Sequence, residues 1–138
     1  MAVRPHERLE KALIMSFADD NQPAFTKGAE VKFNGSDTLL QAASTNDVAA
    51  IGIVVQANAA GRPAHVCMYG DKVIPVVVGT GGASRGVDAV TVADGFTDAA
   101  ANGGGTTSQI IKGKFLQSGS AGDLVGLMIG VNARSVKA

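Results

Sequence analysis

Tryptophan is absent from this 138-residue sequence, and tyrosine occurs once and phenylalanine five times, so Val, Ile, Leu and Ala must fill most of any core. The single cysteine, Cys67, excludes a disulfide within the chain and fits a reducing compartment or indifference to redox state. Imidazole is nearly as scarce: His6 and His65 are the only general bases or nitrogen ligands of that kind. Charge of one sign is also missing, because 12 basic residues balance 12 acidic ones and no basic tract interrupts the chain. Phosphate binding requires clustered Lys and Arg to release counterions, so direct contact with nucleic acid is not expected. The longest apolar run, Val73 to Val78, contains Pro75 and falls far short of the roughly 20 residues that cross a bilayer. The first eleven residues are charge-dense and the following ALIM is too short for a signal-peptide core. The expectation is a soluble protein with no membrane partner, made in the cytoplasm.

What is plentiful is glycine, 18 residues, which points to turns and close backbone contacts. The glycines mark an internal repeat. Ile51 to Gly70, IGIVVQANAAGRPAHVCMYG, aligns without a gap with Lys112 to Val131, KGKFLQSGSAGDLVGLMIGV. Gly52, Gln56, Ala60 and Gly61 meet Gly113, Gln117, Ala121 and Gly122, and the apolar Val54, Val55 and Val66 meet Phe115, Leu116 and Leu127. Both copies read as strand, polar Ala-Gly turn, strand, with Gly52, Gly61, Gly113 and Gly122 as structural turn glycines. A lead-in precedes each copy, TKGAEV from Thr26 and SRGVDA from Ser84, though its spacing to the hairpin differs by three residues. Two related β units are expected.

Met1 to Met15, MAVRPHERLEKALIM, differs in character from the rest and is too short for a stable helix without packing. It reads as a frayed terminus or as an arm that orders on a partner. Residues 16–138 read as one domain, a size able to bury roughly two-thirds of its unfolded surface. Phe17 to Pro23 is a turn, Ala29 to Phe33 and Thr38 to Ala42 are strands around an Asn34-Gly35 hairpin turn, and Val73 to Val78 is a strand that Pro75 confines to an edge or bulge. Val87 to Ala93 is another strand, Asp94 to Ser108 a long surface loop, and Asn132 to Ala138 a tail. On the strand Ala64 to Tyr69, Ala64, Val66 and Met68 share one face and His65, Cys67 and Tyr69 the other. Many short strands at close spacing, with little helix, define an all-β protein: a small barrel or sandwich.

No catalytic, cofactor or metal site emerges. Gly79 to Gly86, GTGGASRG, is the most tempting phosphate loop, but it leads into a strand, lacks the Lys-Ser or Lys-Thr ending and does not fit G-x-G-x-x-G. His65 and Cys67 lack the further ligands that zinc requires, and packing in a core or a subunit contact suits them better. No G-x-S-x-G elbow is present, and the only adjacent carboxylates, Asp19 and Asp20, lie in a polar turn. Such a chain is expected to work through its surfaces and not as an enzyme.

The duplicated hairpin, the segment GTGGASRGVDAVTVADGFTDA and the ending FLQSGSAGDLVGLMIG, taken in succession, resemble the small capsid decoration (cement) proteins of tailed bacteriophages. The resemblance runs from about Phe25 to Val131. It implies a compact β domain on the outer face of the capsid, a major capsid protein as partner and a homotrimer. It also implies an N-terminal arm lying on the shell, a role that falls to Met1 to Met15 with Arg4, Pro5, His6, Arg8, Leu9, Lys11, Leu13 and Ile14 as capsid-binding residues. The alternatives are another virion β module, such as a tail-tube or tail-spike component, and a small nucleotide-binding domain using Gly79 to Gly86.

Overall fold

The computed structural model describes residues 13–70, 72–99, 109–129 and 135–136. Among these, every regular element is a strand: β1 Ile14–Phe17, β2 Glu30–Phe33, β3 Leu40–Ala42, β4 Gly52–Gln56, β5 Ala64–Met68, β6 Lys72–Val77, β7 Asp88–Val92, β8 Gly95–Asp98, β9 Gln109–Ile110, β10 Gly113–Phe115, β11 Leu124–Ile129 and β12 Ser135–Val136. They form two five-stranded antiparallel sheets, β1-β5-β4-β2-β3 and β6-β11-β10-β7-β8, with β12 paired to β9. The expected all-β class of two related units is what the chain adopts.

The repeat extends through both sheets. Strand order is the same in each when β1, β2, β3, β4 and β5 are set against β6, β7, β8, β10 and β11. Register agrees as well: Gly52 pairs with Met68 as Gly113 pairs with Ile129, and Val54 with Val66 as Phe115 with Leu127. Val31 faces Gly52 as Ala89 faces Gly113. Outside the strands, Gly28 N–H donates to Val54 O and Gly86 N–H to Phe115 O, both at 2.8 Å, and the bridge of Phe25 to Asn58 matches that of Ala83 to Gly119. The three-residue offset in the lead-in is absorbed between β2 and β4 and their counterparts, where loops tolerate length change.

Each sheet buries a matching set of side chains, because alternate residues of a strand point to one face. Phe17, Phe25, Val31, Leu40, Val54, Ala64 and Val66 form one cluster. Their counterparts, Val76, Ala83, Ala89, Phe96, Phe115, Val125 and Leu127, all belong to the other. Each set contains two phenylalanines at different positions and one leucine, and the sets differ in composition only by one Val against one Ala, so volume is nearly kept while shape is redistributed. The second cluster also takes in Ile53 and Cys67 from the opposite face of the first sheet, with Val55 and Tyr69 packed against it. The alternation expected along β5 therefore separates two cores: Ala64 and Val66 in the first, Cys67 and Tyr69 at the junction of the two halves.

Several expectations are corrected. Asp94 to Ser108 is not wholly a loop, since β8 pairs Ala89 with Asp98 and Thr91 with Phe96, and Phe96 is fully buried. The tail contains β12, and the connection after Asn34-Gly35 runs on to Leu39, whose N–H bonds Ser36 Oγ at 2.9 Å, with Gly35 at φ 70°. Gly61 and Gly122 do turn with positive φ, 77° and 92°. Gly52 and Gly113 are instead strand residues whose missing Cβ lets a neighbouring carbonyl approach: an added Cβ would lie 2.3 Å from Cys67 O or 2.2 Å from Met128 O. Pro75 does sit on an edge strand, β6.

Candidate functional site

The polar groups drawn inside the molecule gather where the two halves meet. Glu30 on β2 and Lys112, just before β10, each interrupt an apolar run, and both are buried. Thr91 Oγ1 donates to Glu30 Oε1 at 2.5 Å and the Tyr69 hydroxyl donates to Oε2. Lys112 Nζ lies 3.4 Å from Glu30 Oε2, donates to the Asp47 carbonyl and sits 5.7 Å from the centre of the Tyr69 ring. Asp47 Oδ2 pairs with Lys32 Nζ at 2.6 Å and accepts from Ser44 N–H and Oγ, both at 3.0 Å, while Oδ1 accepts from Ala49 N–H at 2.9 Å. Among the described residues no buried side-chain N or O lacks a partner.

Burial raises the Glu30 carboxyl above its ordinary range, against the opposing pull of the Lys112 charge and the Thr91 hydrogen bond. For Asp47 burial acts the same way, but the hydrogen bonds from Lys32, Ser44 and Ala49 outweigh it and hold the carboxyl well below the usual range. A cleft of about 240 Å³ opens beside Glu30 between Phe25, Ala29 and Ala43 of the first half and Val77, Thr91 and Gly95 of the second. The chemistry of this junction is that of a polar cross-link. Its donors and acceptors are spent on one another and join β2 and the Asp47 turn to β7 and the segment before β10.

The glycine-rich segment Gly79 to Gly86 joins β6 to β7. Thr80 N–H and hydroxyl bond the Asp94 carboxylate, Ser84 N–H bonds Asp98 Oδ1 at 2.7 Å, and Arg85 N–H bonds Ser118 Oγ at 3.0 Å. Thr80 thereby holds the exposed Asp94 carboxyl below its ordinary value. The N–H groups of Gly79, Gly82, Ala83 and Gly86 bond backbone carbonyls, so seven N–H groups of this segment are committed within the chain. His65 meets Ser16 Oγ through Nδ1 at 2.7 Å, and no group of three or more potential metal ligands occurs among the described residues.

Of the expected arm residues, Arg4, Pro5, His6, Arg8, Leu9 and Lys11 lie outside the described residues. Leu13 and Ile14 do not belong to a detached arm: Met68 N–H bonds Leu13 O at 2.8 Å, and Ile14 pairs with Cys67 at the start of β1. Both side chains are exposed, as are Phe33 and Val48 in the first half and Val73, Leu116 and Leu124 in the second. These side chains are candidates for contact where they adjoin one another, as Val73 and Leu116 do on either side of Gly126. Sequence reasoning named Leu13 and Ile14 but missed the others, because an apolar residue in or beside a strand reads the same whether its face is covered or open.

The class defined by these features is a helix-free β protein, as far as it is described, made of one five-stranded sheet used twice, with open apolar sheet surfaces. No protein-family model and no curated protein matches the chain. Among solved structures it is similar to the N base of the head fiber gp8.5 of bacteriophage phi29, at 18% identity with a TM-score of 0.61, over 88% of this chain and 98% of that one. The likeness establishes a shared fold.

Proposed function

We propose that this chain is a structural virion protein of a bacteriophage that binds the outer surface of the capsid and stabilises the expanded shell as a homotrimer. The observation that supports this reading most is the likeness, over nearly the whole length of both chains, to a domain that serves as the base of a phage head fiber. The sequence resemblance to decoration proteins points the same way on separate grounds. Many modest contacts repeated around a closed shell add up through multivalency, so a neutral protein with apolar patches and no deep reactive site suits the role. Capsid contacts are assigned to the residues preceding β1, with Arg4, His6, Arg8 and Lys11 as charged anchors and Leu9 as the apolar one.

The test is binding of the purified protein to expanded shells that lack it, followed by the temperature at which the shells break. Saturable binding with a higher disruption temperature is expected, and no affinity for shells removes the reading. Deleting residues 1–12 should weaken binding and leave the melting transition of the free protein unchanged, since pairing of β1 begins at Ile14. A second reading, favoured by the nature of the structural neighbour, is the base of a fiber on the head; micrographs showing a projection above each bound copy would select it.

A further inference from the structure

We propose that the outer face of the second sheet, around Lys114, Leu116 and Met128, binds the first half of another copy of this chain, head to tail. The contact would repeat the one the two halves already make within the chain. The repeat identifies both surfaces, residue by residue, without reference to a virion; the homotrimer of the preceding section enters only as the number of copies.

Within the chain, the second half covers the outer face of the first sheet. Ile53 and Cys67 are buried there and Val55 packs beside them. Gly28 O accepts from Val77 N–H at 3.1 Å, so closely that a Cβ on Gly28 would meet that nitrogen at 2.6 Å. The counterparts of these residues in the second half are Lys114, Met128, Leu116 and Gly86. Leu116 is exposed, Lys114 and Met128 are half-buried, and a Cβ on Gly86 would meet nothing within 4 Å. Gly126, between Leu116 and Val73, leaves this face shallow: an added Cβ would touch both side chains at 3.7 Å. The face that is covered in the first half is open in the second, where Leu116 and Met128 flank a part-exposed ion pair, Lys114 Nζ to Asp88 Oδ1 at 2.8 Å.

The covering surface shows the converse. Thr91 and Gln109 of the second half are 1% and 7% exposed, and Asn46 N–H bonds Thr91 O across the junction at 3.2 Å. Phe33, the counterpart of Thr91, is 43% exposed, and Val48, which the repeat alignment carried back from Ile51 sets against Gln109, is 79% exposed. One chain thus carries one satisfied junction and the two unsatisfied halves of a second. These surfaces differ from each other, so the contact is heterologous, and such contacts close into rings when the rotation permits.

The decisive experiment uses two variants of the full chain, Leu116→Glu on one surface and Val48→Glu on the other, with mass read by light scattering or native mass spectrometry. Val48 is chosen because Phe33 also packs edge-on against Phe17. Each variant should melt like the unmodified chain, and alone should associate roughly a hundredfold more weakly, as an unpaired carboxylate in an apolar contact requires. Mixed, they should form a one-to-one dimer, because one intact pair of surfaces remains. An unmodified chain that is monomeric at the highest attainable concentration, a variant that still assembles normally, or a mixture that yields no dimer overturns the proposal. None of these outcomes depends on capsid binding, so failure here and failure on shells are separate results.

Discussion

Glu30 and Lys112 offer the sharpest test of how the two halves are held together. Their charged atoms are 3.4 Å apart and their side chains 2% and 9% exposed, so the pair is shielded from solvent. At an effective dielectric constant of about 20 the attraction at that distance is roughly 5 kcal/mol, and desolvation of two ions offsets much or all of it. The raised Glu30 carboxyl shows that for this group burial outweighs its partners. The consequence is asymmetric. Glu30→Gln strands the Lys112 ammonium beside a neutral amide, and Lys112→Met strands the carboxylate; each should cost about 3–5 kcal/mol. Glu30→Gln/Lys112→Met removes both charges, and the amide oxygen accepts from one of the Thr91 and Tyr69 hydroxyls while its NH2 donates to the other, so it should lie within about 1 kcal/mol of the unmodified protein. Urea denaturation of the four proteins at pH 7, at matched slope, measures the cycle. A double variant as unstable as the sum of the two singles, or singles within about 0.5 kcal/mol of the unmodified chain, would refute a buried, coupled pair.

Titration separates the two buried acids by sign. A raised folded-state value means that Glu30 binds its proton more tightly when folded, so its contribution to stability is lost as pH rises from 4.5 through that higher value; Glu30→Gln should remove this slope in a pH series of melts. Asp47 is held below 3.8, so its contribution is present at neutral pH and lost as pH falls through and below that value; Asp47→Asn should flatten the acid limb, and an unaltered acid limb counts against the Lys32 and Ser44 contacts. Glycine substitutions distinguish strain from crowding. Gly86→Ala should cost about 1 kcal/mol for its positive φ alone, and Gly28→Ala more, because its Cβ would also meet Val77 N. Phe115→Ala and Phe96→Ala, both fully buried, should each cost about 3–5 kcal/mol by thermal or chemical unfolding.

The hairpin repeat was legible because β4 and β5 and their copies carry the same turn and identical residues at Gly52, Gln56, Ala60 and Gly61. The outer strands were not. β1 and β6, IMSF and KVIPVV, share only a pairing role, and β3 and β8, LQA and GFTD, share one buried position filled by Leu40 in one and Phe96 in the other. Loops of unequal length precede them, and Phe96 stands alone among polar residues, so no period marks its strand. Gly52 and Gly113 were recognisable as special, but glycine serves tight turns and close strand contacts alike, and only the carbonyls of Cys67 and Met128 decide between them. Glu30 and Lys112 are charges set within apolar stretches, and nothing in the local sequence marks them as partners. That they meet each other depends on how one half packs on the other, which no local pattern encodes.

Electron microscopy of expanded phage shells, with and without the purified protein, tests the structural role most directly. The account predicts added density on the outer capsid surface, at repeated lattice positions, that accommodates the two-sheet domain in a ring of copies. Shells that look the same with and without saturating protein, or density confined to a tail, would contradict it.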